Sequence, residues 1–190
     1  MKVRLDKLLV ERGLAQSRER AQALILAGRV LVNEQKIEKA GAPVAEDCDV
    51  RLLGEDLRYV SRGGLKLEKA LEHWQVDVSG RVCLDVGAST GGFSDCLLQH
   101  GAARVIAVDT GYGQIHARLR ADSRVRLLEK TNARFLTAQD VAEPVDLIVM
   151  DVSFISATLV LPAVVTAARE AGSRALKLVV LVKPQFEAGR

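Results

Sequence analysis

Apolar positions along the first fifty residues recur first at helical spacing and then in short runs. Leu5, Leu8 and Leu9 lie three and four residues apart ahead of Gly13, which predicts a short helix with a glycine stop. Ser17 stands as the N-cap of a second helix that carries Ala21, Leu24 and Ile25 on one face and ends at Gly28. Val30–Val32 reads as a strand, Asn33–Lys36 as a turn and Val50–Leu53 as a returning strand. Gly54, Glu55 and Asp56 form a polar break, and a third helix is predicted after Gly64, with Leu67, Ala70, Leu71 and Trp74 on one face and Lys66, Lys69 and His73 on another. From there the pattern changes. Apolar runs at Val82–Val86, Val105–Val108, Val125–Leu128, Val145–Met150 and Leu176–Val182 alternate with helical or looped stretches. Five buried strands joined by crossovers predict a doubly wound parallel sheet.

Composition narrows the class without naming a function. The chain is 48% apolar and 27% charged, which suits a soluble globular protein with room for one full domain and a small module. Cys48, Cys83 and Cys96 form no Cys-x-x-Cys pair, so a disulfide framework is not expected and a reducing cytoplasm fits. No signal-peptide pattern opens the chain, and the apolar tract Ala157–Ala168 is interrupted by Thr158, Pro162 and Thr166, so no membrane span is expected. Charge is uneven: residues 1–39 hold nine Lys and Arg against five Asp and Glu, whereas residues 40–60 hold two against five. A basic front end suggests a polyanionic partner.

The first long apolar run leads into Asp85-Val86-Gly87-Ala88-Ser89-Thr90-Gly91-Gly92-Phe93, and the next ends at Asp109. Glycines at the carboxyl end of a first strand, with a carboxylate after the second to hold ribose hydroxyls, suit an adenosine-containing cofactor. The spacing is not the dinucleotide Gly-x-Gly-x-x-Gly, and no Gly-Lys-Ser/Thr follows for a triphosphate. S-adenosylmethionine is therefore preferred over NAD and ATP. Asp85 is the candidate for its amino group, directly or through water. Runs four and five end in Asp151-Val152-Ser153-Phe154 and Val182-Lys183-Pro184-Gln185-Phe186-Glu187, at the edge of the sheet where open α/β folds bind ligands. Transfer to a ribose 2′-hydroxyl requires a proton acceptor. Lys183 beside Asp151 is the candidate, with Lys66 as a second cation. His73, His100 and His116 show no ligand spacing, and no metal is expected.

These stretches, together with Arg4–Asn33, Ser61-Arg62-Gly63-Gly64-Leu65-Lys66-Leu67, Gly111-Tyr112-Gly113-Gln114 and Thr131-Asn132-Ala133-Arg134, closely resemble the TlyA proteins, some of them labelled hemolysins, which are related to the FtsJ 2′-O-methyltransferases. The resemblance implies a class I, Rossmann-like methyltransferase sheet over residues 61–190, behind a small α+β RNA-binding module with its linker over residues 1–60. It also implies methylation of a cytidine 2′-hydroxyl in ribosomal RNA from S-adenosylmethionine. The cofactor would be held by Asp85, Gly87, Ser89, Thr90, Gly91, Gly92, Phe93, Asp109 and Asn132.

Of the family's Lys-Asp-Lys-Glu catalytic set, Lys66, Asp151 and Lys183 occupy the first three places. The glutamate belongs on a later strand, beyond Arg190, and Glu187 is too close to Lys183 to serve. The sheet is accordingly expected to be C-terminally incomplete, with an exposed, association-prone edge near residues 176–183. Tyr59 and Ala117 stand where some members carry tryptophan.

The front module resembles the RNA-binding domain of ribosomal protein S4. Arg18 and Arg20 in the first turn of its second helix oppose the helix dipole, a cost that suggests a use. With Arg4, Lys7, Arg12, Arg29 and Lys36 they would line a phosphate-binding face for ribosomal RNA or ribosomal subunits, setting position and affinity rather than sequence. The scarcity of aromatic residues favours recognition by RNA shape over base stacking. A nonenzymatic ribosome- or RNA-binding protein built from the same two domains is the alternative reading. A pore former is disfavoured, because nothing is long or apolar enough to insert.

Overall fold

A computed structural model describes residues 2–53 and 58–188. The chain divides into two compact units, Met1–Asp56 and Leu57–Arg190. The Gly54–Asp56 break lies outside the described residues.

The first unit runs β1 (Lys2–Arg4), α1 (Leu5–Glu11), α2 (Arg18–Leu26), β2 (Val30–Val32), β3 (Gln35–Lys36), β4 (Pro43–Ala45) and β5 (Val50–Leu52). Ser17 caps α2 as its residue type predicts, its side chain accepting from Arg20 N at 3.2 Å. Leu5, Leu8 and Leu9 of α1 and Leu24 and Ile25 of α2 close on Val30 and Val44 to form the core. The turn predicted over Asn33–Lys36 is tighter than that. Asn33 and Glu34 both take positive φ, 49° and 62°, so a two-residue reversal leaves Gln35–Lys36 free to pair with β2. β5 pairs antiparallel with the other edge of β2. The β1–β4 pair carries no sequence signal, since three residues are too few to establish a period.

The second unit opens with α3 (Gly63–His73) and continues β6 (Val82–Val86), α4 (Gly92–Gln99), β7 (Arg104–Val108), α5 (Ala117–Arg120), β8 (Val125–Leu128), a 3-10 turn (Ala133–Phe135), α6 (Ala138–Val141), β9 (Leu147–Met150), α7 (Ala157–Glu170), β10 (Lys177–Val180) and α8 (Pro184–Glu187). The five strands are parallel in the order β10-β9-β6-β7-β8. Their side chains alternate between two cores, which is why each run reads as mostly apolar instead of alternating with polar residues. Cys83, Val105, Ala107, Leu147 and Val149 pack with Leu67 and Leu71 of α3 and Leu97 of α4. Leu84, Val86, Ile106, Ile148 and Met150 pack with Val160 and Val164 of α7. α7 runs through Pro162 without a break. β10 forms an edge of the sheet, with Leu178 exposed.

Trp74 departs from the face it was grouped with. It caps α3 and is 63% exposed, while the core under the helix is filled by Leu67, Leu71 and Tyr59. Gln75, at φ 50°, turns the chain away there. Tyr59 sits directly beneath Gly64, where a Cβ would lie 2.3 Å from the tyrosine ring. Its hydroxyl donates to Glu68 at 2.7 Å, and the buried Asp95 accepts from Val60 N and Arg118, so this segment is fastened to α3 and α4.

Candidate active site

Chain direction reverses in the sheet order between β6 and β9, and the carboxyl ends of β6, β7, β9 and β10 open on one edge. That switch point is where open α/β sheets form a crevice. β6 leads into the glycine loop. Gly87 has φ 87°, and a Cβ on it would stand 2.7 Å from the carbonyl oxygen of Asp151. At Gly92 a Cβ would stand 2.3 Å from Ser61 Oγ and 2.9 Å from Gly64 N. The loop's glycines therefore admit other segments of this chain: the end of β9 on one side and the start of α3 on the other. Backbone convergence accounts for them before any ligand is considered.

Asp109 is set by the same loop. Its Oδ2 accepts from Ser89 N at 2.8 Å and its Oδ1 from Gly111 N at 2.7 Å. The carboxylate is thus oriented at the end of β7. Asp85 is placed differently. It is fully buried, accepts from Ser94 Oγ at 2.6 Å and lines neither of the two cavities that open at this end of the sheet, and its Oδ1 has no hydrogen-bond partner. Burial pushes its carboxyl up to about 7, against the opposing hydrogen bond from Ser94.

Lys66, Asp151 and Lys183 arrive from α3, the end of β9 and the end of β10, and they meet. Lys183 Nζ lies 2.5 Å from Asp151 Oδ1, an ion pair out of line for a hydrogen bond, and donates to Ser153 Oγ at 2.7 Å. Lys66 Nζ approaches the other oxygen, Oδ2, at 3.4 Å. Two lysine side chains therefore converge on one carboxylate. Glu187 is turned away: it accepts from Ala157 N at 2.7 Å and Ser156 Oγ at 2.5 Å, closing the N-terminus of α7.

Two cavities meet over Gly87, Ser89, Asp151 and Ser153. The smaller, about 260 Å³, holds the Lys66–Asp151–Lys183 trio together with Thr90, Gly92 and Phe93. The larger, about 570 Å³, is bounded by Asp109 and Asn132. Gly91 lines neither, acting instead as the N-cap of α4 at φ 94°. The sequence reading did not single out Ser61 and Gly63 in the smaller cavity, Gly111, Gln114 and Phe154 in the larger, or Ser153 in both. Phe154 is 91% exposed at φ 64°, its ring centroid 5.7 Å from that of Phe186. An overall scarcity of aromatic residues concealed this local concentration. Motif membership was the only signal for the others, because glycine and serine do not by themselves announce a chemistry.

In the first unit the basic residues divide. Arg4 makes two hydrogen bonds to the buried Asp6, at 3.0 and 2.9 Å, and Arg18 and Gln22 add a third and a fourth at 3.1 and 2.9 Å. Those donors, Arg4 foremost, hold the Asp6 carboxyl well below the usual range despite its burial. Part of the use inferred for Arg18 is therefore to tie α2 to α1. Arg12 donates to the carbonyls of Cys48 and Glu46, and Arg29 to that of Leu53. Lys7 and Lys36 pair with Glu11 and Glu38 on the surface, and Arg20 occupies the first turn of α2. Among the described residues no helix is long and apolar enough to cross a membrane, and no cluster of His, Cys, Asp and Glu could hold a metal ion.

Comparison with known proteins agrees with this geometry. Residues 59–190 match the FtsJ-like methyltransferase family and residues 3–49 the S4 domain. The 16S/23S rRNA (cytidine-2′-O)-methyltransferase TlyA of Mycobacterium tuberculosis is 48% identical over 190 residues, all of this chain and 69% of its own length. YqxC of Bacillus subtilis, provisionally named an rRNA methyltransferase, is 50% identical over the same 190 residues, which are 66% of its length. A solved structure from Streptococcus thermophilus, provisionally named a hemolysin, superposes with a TM-score of 0.68 at 43% identity, over 100% of this chain and 68% of that one. The chain thus spans about two thirds of the length of these relatives. An S4 domain, a five-stranded parallel sheet and full-length similarity to TlyA lead to one assignment: the chain belongs to the TlyA family of FtsJ-like methyltransferases.

Proposed function

We propose that this protein transfers a methyl group from S-adenosylmethionine to a ribose 2′-hydroxyl of ribosomal RNA, the acceptor being a cytidine as in the TlyA relative. The observation that carries the reading is the Lys66–Asp151–Lys183 cluster, set in a cavity that adjoins a larger one fit for a nucleoside. The residues present suit the cofactor. Asp109, with Asn132 near it, offers acceptors to ribose hydroxyls, and Gly87, Ser89 and Thr90 offer a backbone approach between the two cavities. Asp85, buried beneath the loop and lining neither cavity, would reach the amino group only through a water bridging to its unpartnered oxygen. When bound, the cofactor supplies an electrophilic methyl group on a sulfonium.

The chain's own residues supply alignment and proton uptake. Lys183, held by Asp151 and Ser153, would take the hydroxyl proton at Nζ as the ribose oxygen gains the methyl group and the methyl–sulfur bond breaks. Lys66 positions the ribose. Asp151 orients Lys183 and presents negative charge to the reacting centre.

Residues 1–60 serve in this reading as the RNA-binding module and linker, and residues 61–190 as the catalytic domain. Arg4, Lys7, Arg12, Arg18, Arg20, Arg29 and Lys36 make its phosphate contacts, several of them while also bracing the module's own fold. In this reading the protein acts in the cytoplasm, where its ribosomal RNA substrate is. The test is methylation of bacterial ribosomal subunits with radiolabelled S-adenosylmethionine, followed by digestion to nucleosides. Label is expected in 2′-O-methylcytidine and is expected to be lost in Lys183→Ala. Label in a base or in protein, or equal incorporation by the variant, would overturn the assignment.

A further inference from the structure

The Gly111-Tyr112-Gly113-Gln114 stretch supplies two walls of the larger cavity, Gly111 and Gln114. Two glycines in four residues make it costly to order. Gly113 has φ 70° and open space where a Cβ would be, so the glycine answers to loop conformation and not to packing. The loop is pinned from two sides. Asp109 Oδ1 takes the N–H of Gly111, and Glu129, one residue past β8, takes the N–H of Gly113 at 2.7 Å through Oε1. Lys130 N donates to Gly111 O at 3.0 Å, and the Lys130 ammonium stands 4.5 Å from the centre of the Tyr112 ring.

Glu129 is itself fixed by Arg120 from α5, which donates to both carboxylate oxygens at 2.6 and 3.1 Å, and its side chain is only 13% exposed. It lines neither cavity. The hydrogen bond from Arg120 holds its carboxyl below the usual range, so the acceptor is ionised at neutral pH.

We propose that Glu129 is a positioning residue for the nucleoside end of the site: by latching Gly113 it fixes the Gly111–Gln114 wall and sets the affinity for adenosine-containing ligands without touching them. The proposal rests on reading the larger cavity as the cofactor pocket. Prepaying the order of a glycine-rich loop raises affinity by the factor by which the closed form is enriched. A loop closed a tenth of the time would bind about tenfold more weakly.

Calorimetric titration of the full chain with S-adenosylhomocysteine, and separately with adenosine, tests this. Glu129→Ala is expected to lose about tenfold in affinity for both ligands, by the same population argument. Glu129→Gln, whose amide oxygen still accepts from Gly113, is expected to stay within about threefold of the unsubstituted chain. The ligand-free melting temperature should change little across the set. Should Glu129→Ala not fold, Arg120→Gln loosens the same carboxylate and is expected to weaken binding in the same direction. Unchanged affinity in Glu129→Ala, or in Arg120→Gln if that variant stands in, overturns the latch. Failure of the unsubstituted chain to bind either ligand overturns the pocket reading, and the latch with it.

Discussion

Removing the carboxylate of Asp151 would leave Lys66 and Lys183 facing one cavity with nothing between them. Asp151→Asn is therefore expected to lower single-turnover methyl transfer by about 100-fold or more, since both orientation and charge are lost. Two other aspartates predict opposite pH behaviour. Asp6, held below the ordinary carboxylate range, stabilises its unit above about pH 4, and that contribution is lost as the pH falls further. Asp85, pushed up to about 7, keeps a proton that the unfolded chain sheds near pH 4, so its contribution is full below that pH and lost as the pH rises through 7. Urea denaturation followed across pH should show the low-pH fall, to which other paired carboxylates also contribute, shrink in Asp6→Asn and the fall between pH 4 and 7 shrink in Asp85→Asn. Residues of distinctive chemistry, such as Asp109, Asp151 and Lys183, could be read from the sequence. That Asp85 lies shut beneath the loop, and that Arg4 and Arg18 serve a buried partner, could not, because both depend on packing between separate elements.

The glycine loop concentrates its constraints at defined contacts. Gly87→Ala combines left-handed backbone strain with a Cβ 2.7 Å from the Asp151 carbonyl and is expected to cost about 2–4 kcal/mol by urea denaturation. Gly80 has similar backbone, φ 68°, but nothing within 4 Å, and Gly80→Ala is expected to cost only about 1–2 kcal/mol. Equal losses in the two variants would show that crowding at Asp151 contributes nothing. The five strands were readable because their positions are mostly apolar, the three central ones being almost wholly buried. β1 and β4, three residues each, fall below what periodicity can detect, and Trp74 was misplaced because the helical period extended one residue past the helix.

Across the molecule, residues 1–39 carry nine Lys and Arg against five Asp and Glu, and the partners of those cations separate structural support from surface charge. Lys7→Ala breaks only an exposed pair with Glu11, so stability should hold while the slope of RNA affinity against salt falls by about one contact, roughly 0.7–0.9 in log–log terms. Arg18→Ala removes a donor from buried Asp6 as well and is expected to cost about 1 kcal/mol of stability in addition. Filter binding across a salt series, with melting curves, separates the two. The five strands of the parallel sheet and the helix that carries Lys66 were readable, whereas the helices between the strands and the division of labour among these cations were not. The aromatic residues are distributed in the opposite way: none occurs in residues 1–53, and the single tryptophan, Trp74, stands exposed at the end of the helix that carries Lys66. Intrinsic fluorescence of this protein is therefore a label-free optical signal from the catalytic unit alone. It is open to quenching by iodide, attached to the helix that borders the smaller cavity, and unaffected by tryptophan or tyrosine emission from the S4 domain.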